Sequence, residues 1–410
     1  MGFRKIIPET KIDTNKRGSS LESLLHSEHI VTIEKMSVGG DGVARIPVND
    51  RTVVVFVPMS APGDELKIKI TKAEKTFLFG SIFQIIKPSV YRREPPCPYA
   101  SDCGGCSWQQ IIESEQVNQK ELILKELIKK FLPDVIYSLA PTALSKKSFE
   151  YRNRIQLKHL GEKIGYFKPQ SHDIVEIQDC LIADTPIREK ISDLVKNLKP
   201  AAELKKYEIK INQDGKVEHY EIGSHGEGLS FSQVNNDVNQ LLVDETIHQL
   251  KLILPADFSG LMSELYAGAG NFTFALAQVF TKMRIEAVEL NHRLTAYAAD
   301  VVKTKKLIKQ VTFFTTKVEI FAFHQSLSSD IILLDPPRSG CLPEVIFRIA
   351  EKNPQNIVYI SCHPTMFVRD LALLLKSNSE YQIKYLQIFD MFPQTDHFET
   401  LCILSRKSQV

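Results

Sequence analysis

The chain has 410 residues, 43% of them apolar and 24% charged, with a net charge of +2 and a pI near 8.0. That length excludes one ordinary domain and calls for two or three, and the charge balance excludes a globally basic nucleic-acid binder, so any such surface comes from local clusters of Lys and Arg. No run of eighteen apolar residues and no N-terminal hydrophobic segment of signal-peptide length is present, which predicts a cytoplasmic protein with no membrane span. Seven cysteines, three of them close together, fit metal binding or catalysis in a reducing compartment better than a disulfide framework.

Residues 1–26 are polar and are expected to form a flexible tail. Residues 27–88 carry short β-rich runs, HIVTIEKM, RTVVVFVPM, ELKIKITKA and FLFGSIFQII, punctuated by GGDG, VND and APGD. That spacing predicts a small antiparallel, OB-like barrel. The glycine-rich turn followed by VARI, and the run VVFVPMSAPGDEL, resemble a TRAM domain, a compact RNA-binding barrel. Lys69, Lys72, Lys75 and Arg51 could meet phosphate there, or be ordinary solvated residues that keep edge strands from pairing.

Residues 89–228 are expected to form a central α+β domain. PPCPYASDCGGCSWQQ sets Cys97, Cys103 and Cys106 in a C-x5-C-x2-C array, and Cys180 in IVEIQDCLI offers a fourth thiol. Thiolates joined by Gly104 and Gly105 can converge on one metal or cluster, and spacing leaves a zinc ion and an iron-sulfur cluster both open. An amphipathic helix is predicted from about Glu113 to Phe131, its basic end at Lys129 and Lys130 complementing the helix dipole. KKSFEYRNRIQLKHLGEKIGYFKP then brings Lys146, Lys147, Arg152, Arg154, Lys158, Lys163 and Lys168 together with Tyr151, Tyr166 and Phe167, a mixture suited to tracking phosphates and stacking bases.

From about Leu229 to the end, strands and helices alternate as in a doubly wound parallel sheet. Seven strand candidates are expected, and the last two lack an intervening helix and are expected to pair antiparallel at an edge. This is the layout of a class I methyltransferase. In ELYAGAGNFT, Gly268 and Gly270 follow a strand and open a helix, which admits close approach of a ligand. Thr273 stands where a dinucleotide fingerprint has a third Gly or Ala, which counts against a nicotinamide cofactor. Glu264 precedes the loop, and Glu289 ends the next strand where both ribose hydroxyls of S-adenosylmethionine can be bonded. Asp335 of LLDPPRSG also ends an apolar strand. In NIVYISCHPT an apolar run ends at Cys362 and Pro364 stops it, setting a thiol in the crevice at the strand ends. Glu399, in FDMFPQTDHFETL, lies in an otherwise apolar segment, where a carboxylate needs a partner or a function.

GAGNFT, DPPRSG, SCHP and DMFPQTDHFE, in this order behind a cysteine cluster and a TRAM-like barrel, resemble the RNA 5-methyluridine methyltransferase family over nearly the whole chain from His29. The nearest branch is the iron-sulfur, TRAM-containing one that modifies 23S ribosomal RNA. The resemblance implies Cys362 as nucleophile and Glu399 as general base. It implies Gln233, Tyr266, Asn271, Glu289 and Asp335 as cofactor or target contacts, and Cys97, Cys103, Cys106 and Cys180 as ligands of a [4Fe-4S] cluster. His363 stands where the family usually has Asn, and Lys317 about where an Asn or Asp commonly meets the cofactor.

Chemistry explains the residue types, because carbon 5 of uracil is too weak a nucleophile to take a sulfonium methyl directly. Addition of a thiolate at carbon 6 makes carbon 5 nucleophilic, and a base must then remove its proton. The target base must be flipped out of its stack. Transfer RNA is the alternative substrate, and a non-catalytic iron-sulfur RNA-binding or folding factor is the alternative of a different class. No membrane and no obligate protein partner is implied. A cytosine enzyme is disfavoured because DPPRSG lacks a cysteine beside its prolines, Cys341 lying just beyond and expected in the core or at a helix start.

Overall fold

The structure, a computed structural model, describes residues 21–407 apart from 213, 224–232, 325–328 and the side chain of His324. Most of the expected tail and the expected boundary at Leu229 fall outside those residues. Leu21–Leu24 is a turn of 3-10 helix, and Leu21 is buried in the first core, so the chain is ordered before residue 26. The described chain forms two compact units, the first reaching Arg92 and the second starting at Arg93 and including Val38–Gly40.

In the first unit, β1 (Glu28–Thr32), β2 (Lys35–Met36), β3 (Gly42–Val48), β4 (Arg51–Val57), β5 (Glu65–Ala73) and β6 (Phe77–Lys87) form one sheet in the order β1-β5-β6-β4-β3-β2. Alternation of side chains puts Ile46, Val55, Leu66 and Ile68 inside and leaves charged residues outside. The APGD turn is fixed by Asp64, whose buried carboxylate accepts from the backbone nitrogens of Ala61 and Ser89 and from Arg92. Arg51, Lys69, Lys72 and Lys75 are exposed, and Lys72 pairs with Glu74 at 2.7 Å.

The second unit opens with α1 (Glu113–Phe131), the predicted helix, and β7 (Ala140–Ala143). β8 (Arg154–Gly161), β9 (Lys163–Phe167), β10 (Ile174–Glu176), α2 (Thr185–Asn197), β11 (Ala201–Ile211) and β12 (Val217–Glu221) follow, and these strands form an antiparallel sheet in the order β10-β9-β8-β11-β12. The basic, aromatic run is divided by this fold. Lys158 and Phe167 share the outer face, the ammonium 5.9 Å from the ring centroid. Tyr151 is buried and donates to the Pro393 carbonyl, so its ring is not free to stack a base as expected, while Tyr166 packs partly buried against the core of this sheet and its hydroxyl donates to Cys180 Sγ.

The remaining elements are α3 (Asn236–Ile253), β13 (Leu261–Leu265), α4 (Asn271–Val279), β14 (Arg284–Glu289), α5 (His292–Thr304), β15 (Val311–Thr315), α6 (Val318–His324), β16 (Ile331–Leu334), α7 (Pro343–Lys352), β17 (Asn356–Ser361), α8 (Pro364–Ser377), β18 (Tyr381–Phe389) and β19 (Glu399–Arg406). The seven expected strands are present, in the order β15-β14-β13-β16-β17-β19-β18, parallel except that β19 runs antiparallel to its neighbours. An eighth, β7, adds to the β18 edge from the preceding region. Its four residues, APTA, carry no alternating apolar pattern, so the sequence gives no sign of it. Central strands β16 and β17 are buried along their whole length, which is why they read as continuous apolar runs. Among the described residues no helix is long and apolar enough to cross a membrane.

Candidate active site

Five chemistry-bearing residues follow from sheet register alone. β13, β14, β16 and β17 are parallel, so their carboxyl ends, at Tyr266, Glu289, Asp335 and Cys362, share one edge. β19 runs the other way and starts at that edge, so Glu399, its first residue, arrives there too. Ser361 pairs with Thr400, and one more step along that register sets Cys362 opposite Glu399.

The cofactor loop turns sharply after β13. Tyr266 adopts φ +66°, Gly268 +56° and Gly270 +92°, and only the glycines take this left-handed region without strain. The Gly268 nitrogen donates to Glu289 Oε2 at 3.0 Å, and the Asn291 nitrogen to Glu289 Oε1 at 2.7 Å, so the carboxylate is oriented by the turn that it faces. Asn271 opens α4, but its side chain pairs with Asn239 of α3. Gln233 precedes α3, and its carbonyl accepts from Asn153. Lys317 immediately precedes α6.

Several carboxyls along this edge are held against ionisation, chiefly by burial. Glu264 is fully buried and its carboxyl is pushed up to about 8 by burial, opposed by the hydrogen bond that it accepts from the Thr273 hydroxyl and aided by Asp335. Burial also pushes Asp335 up to about 7. Glu399 is raised well above the usual carboxylate range by burial and then by Asp335, with Arg338 opposing. Its Oε2, like the neighbouring Thr400 hydroxyl, is buried with no hydrogen-bond partner. Carboxyl groups that resist ionisation in one crevice are relieved by a positive ligand such as a sulfonium.

Half-buried Cys362 has its thiol pushed up to about 12, by burial first and then by Glu399 and Asp335, with Arg338 again opposing. Arg338 is the functional candidate that the strand-by-strand reading missed, although it stands in the DPPRSG motif. His363, which departs from the family pattern, caps α8, its Nδ1 accepting from the Met366 nitrogen at 3.4 Å. Cys341 is buried in the core as expected, its nitrogen donating to Asp370.

Glu264 gives a first testable consequence. Its folded pKa lies above its unfolded value of about 4.5, so it costs the fold nothing below that pH and destabilises it increasingly as pH rises toward 8. Glu264→Gln is therefore expected to raise the Tm of the cofactor-free protein by several degrees at pH 8 and hardly at all at pH 5. Thermal denaturation at the two values checks this, and equal shifts would contradict it.

The four clustered cysteines also meet. Cys97, Cys103, Cys106 and Cys180 line one pocket together with Gln109, Arg152 and Tyr166. The Gly105 nitrogen donates to Cys103 Sγ at 3.4 Å and the Tyr166 hydroxyl to Cys180 Sγ at 3.6 Å. Burial pushes Cys103 up to about 11 and Cys106 to about 12, and the neighbouring Cys97 and Cys180 thiols add to the reluctance of both to ionise. Among the described residues no three metal-ligating side chains are drawn close enough for a single ion. Arg152 Nε is buried with no hydrogen-bond partner beside these sulfurs.

Comparison with known proteins agrees with this layout. The tRNA (Uracil-5-)-methyltransferase family profile matches residues 208–407, and the TRAM domain profile residues 26–83. A protein of Bdellovibrio bacteriovorus, named only as an uncharacterized RNA methyltransferase, is 38% identical over 95% of this chain and 98% of its own. One of the same description from Thermotoga maritima is 27% identical over 91% of this chain and 98% of its own. Among solved structures, the Pyrococcus abyssi tRNA (uracil-54, C5)-methyltransferase in complex with S-adenosyl-L-homocysteine shares the fold, with a TM-score of 0.67 and 20% identity over 92% of this chain and all of that one.

Proposed function

The chain belongs to the family of S-adenosylmethionine-dependent RNA (uracil-C5) methyltransferases, and on that premise we propose that it forms 5-methyluridine in 23S ribosomal RNA through a covalent Cys362 adduct. The observation that carries the reading is the convergence of Cys362 and Glu399 just beyond the Ser361–Thr400 pair, the Glu399 carboxyl being buried with an unpartnered oxygen and acting on the Cys362 thiol.

Each residue then has a task. Cys362 gives its thiol proton to water and its Sγ bonds to carbon 6 of the flipped uracil, the carbon 5–carbon 6 π pair moving into an enolate that makes carbon 5 nucleophilic. S-adenosylmethionine, when bound, supplies an electrophilic methyl group. Glu289 and the Gly268–Gly270 turn would hold it, and Tyr266, Asp335, Gln233 and Asn271 would line the cofactor and target positions. Once carbon 5 carries the methyl, Glu399 takes the remaining proton. That electron pair restores the double bond between carbons 5 and 6, and Cys362 departs as thiolate.

Cys97, Cys103, Cys106 and Cys180 would hold a [4Fe-4S] cluster. The four cysteines line one pocket, and the resemblance to the iron-sulfur branch favours a cluster there over one zinc ion. The net negative charge of four thiolates on such a cluster would meet the unpartnered Arg152 Nε, and N–H and O–H donors to sulfur are of the kind that tune clusters. Protein purified without oxygen is expected to absorb broadly near 400 nm and to contain about four iron and four sulfide per chain. One zinc per chain in place of iron would reject the cluster.

The resemblance to the iron-sulfur, TRAM-containing branch of the family favours ribosomal RNA. Transfer RNA is the second reading, favoured by the substrate named for the Pyrococcus enzyme. The mechanism needs a reducing compartment for its thiols, which supports the cytoplasm. Nucleoside mass spectrometry of both RNA pools, with and without the gene, tests the function.

A further inference from the structure

Glu399 begins β19, and the pair Phe389–Glu399 closes the hairpin whose loop spans residues 390–398. That loop has little regular structure of its own, yet it is tied down at most of its length by residues far away in the chain. Lys120, fully buried, donates to Asp390 Oδ1 at 2.6 Å and to the Phe392 carbonyl at 3.2 Å. The Tyr151 hydroxyl donates to the Pro393 carbonyl at 3.1 Å. Gln394, fully buried and at φ +69°, exchanges hydrogen bonds with Gln116, accepts from Arg93, donates to Glu113 and accepts at its carbonyl from the Trp108 nitrogen. A non-glycine residue stays in that region only where its surroundings hold it.

The last anchor before Glu399 is Ser107. Its hydroxyl donates to Asp396 Oδ1 at 2.8 Å and accepts from the Asp396 nitrogen at 3.1 Å. Ser107 and Trp108 directly follow Cys106. We infer that Ser107, through Asp396, is a positioning residue for Glu399, so that the segment after the third cysteine serves the proton-removal step as well as the fold. The inference rests on Glu399 being the base.

The expected signature is step-specific, since a displaced base slows only the steps after methyl transfer. In holoenzyme Ser107→Ala and Asp396→Ala, incubated with S-adenosylmethionine and transcripts of 23S and transfer RNA, denaturant-stable protein–RNA adduct should accumulate. kcat should fall by about 10- to 100-fold, the scale of a small misplacement of a catalytic group, and KM for RNA should fall with it, leaving kcat/KM unchanged because the steps up to methyl transfer are untouched. On the same transcripts made with 5-fluorouridine, which has no carbon 5 proton to remove, both variants should form adduct at the wild-type rate. Ser107→Thr, which keeps the hydroxyl, should restore release.

Release at the wild-type rate without adduct in Ser107→Ala overturns the inference. So does slowed adduct formation on fluorinated RNA, which would assign the segment to RNA binding or folding, and so does a Ser107→Thr variant that traps adduct like alanine. Glu399→Gln run alongside separates the two levels. If it fails to trap adduct, the base assignment falls and the inference with it, whereas trapping there and not in Ser107→Ala removes the inference alone.

Discussion

Enzyme carrying Glu399→Gln is expected to stop with the methylated RNA still bonded to Cys362. The amide has nearly the shape of the carboxyl but cannot accept the carbon 5 proton, so addition and methyl transfer proceed and elimination does not. Loss of a general base costs about 10²- to 10⁴-fold in the step that it serves, enough to make the adduct the main species at steady state. A gel band of protein plus RNA that resists denaturant and requires Cys362 is the readout. Burial raises the Glu399 pKa, so the carboxyl must lose its proton before it can act, and wild-type release is expected to rise with pH and slow in acid. Normal turnover by the Gln variant would remove Glu399 from the mechanism.

Cys362→Ala is the second variant with a large expected effect. Removal of the nucleophile leaves no covalent route, and methylation should fall by about 10⁴-fold or more. RNA and S-adenosylmethionine should still bind, since neither the barrel nor the cofactor turn is touched. A filter-binding assay beside a methyl-transfer assay separates the two functions, and methylation that persists in Cys362→Ala would exclude the adduct. In the wild type a thiol pushed up to about 12 is scarcely ionised at neutral pH, so adduct formation on fluorinated RNA is expected to accelerate as pH rises.

Periodicity and punctuation made most of the architecture legible. α1 falls at its predicted bounds because a polar, amphipathic pattern ends in a basic turn. β16 and β17 announce themselves as buried apolar runs that end at Asp335 and Pro364. Strand ends fix where side chains emerge, so Tyr266, Glu289, Asp335 and Cys362 could be assigned to one edge from the residues alone. Glu399 was legible as a carboxyl in apolar company, and the direction of β19 brings it to Cys362.

What local pattern could not carry is long-range. The addition of β7 to the sheet depends on pairing across more than two hundred residues and on no feature of APTA itself. Tyr151 and Tyr166 read as stacking platforms because alternation shows which side chains share a face, not which face another element covers. Arg152, counted among phosphate ligands, turns to the thiol cavity for the same reason. The clamp on residues 390–398 is made of polar side chains from Arg93 to Tyr151, and hydrogen bonds between distant segments leave no periodic trace.

One measurement bears most directly on the central claim: nucleoside mass spectrometry of 23S ribosomal RNA and transfer RNA after incubation of unmodified transcripts with the enzyme and methyl-labelled S-adenosylmethionine. The expected result is labelled 5-methyluridine in 23S RNA, abolished by Cys362→Ala. Label in another nucleoside, or no label in either RNA, would contradict it.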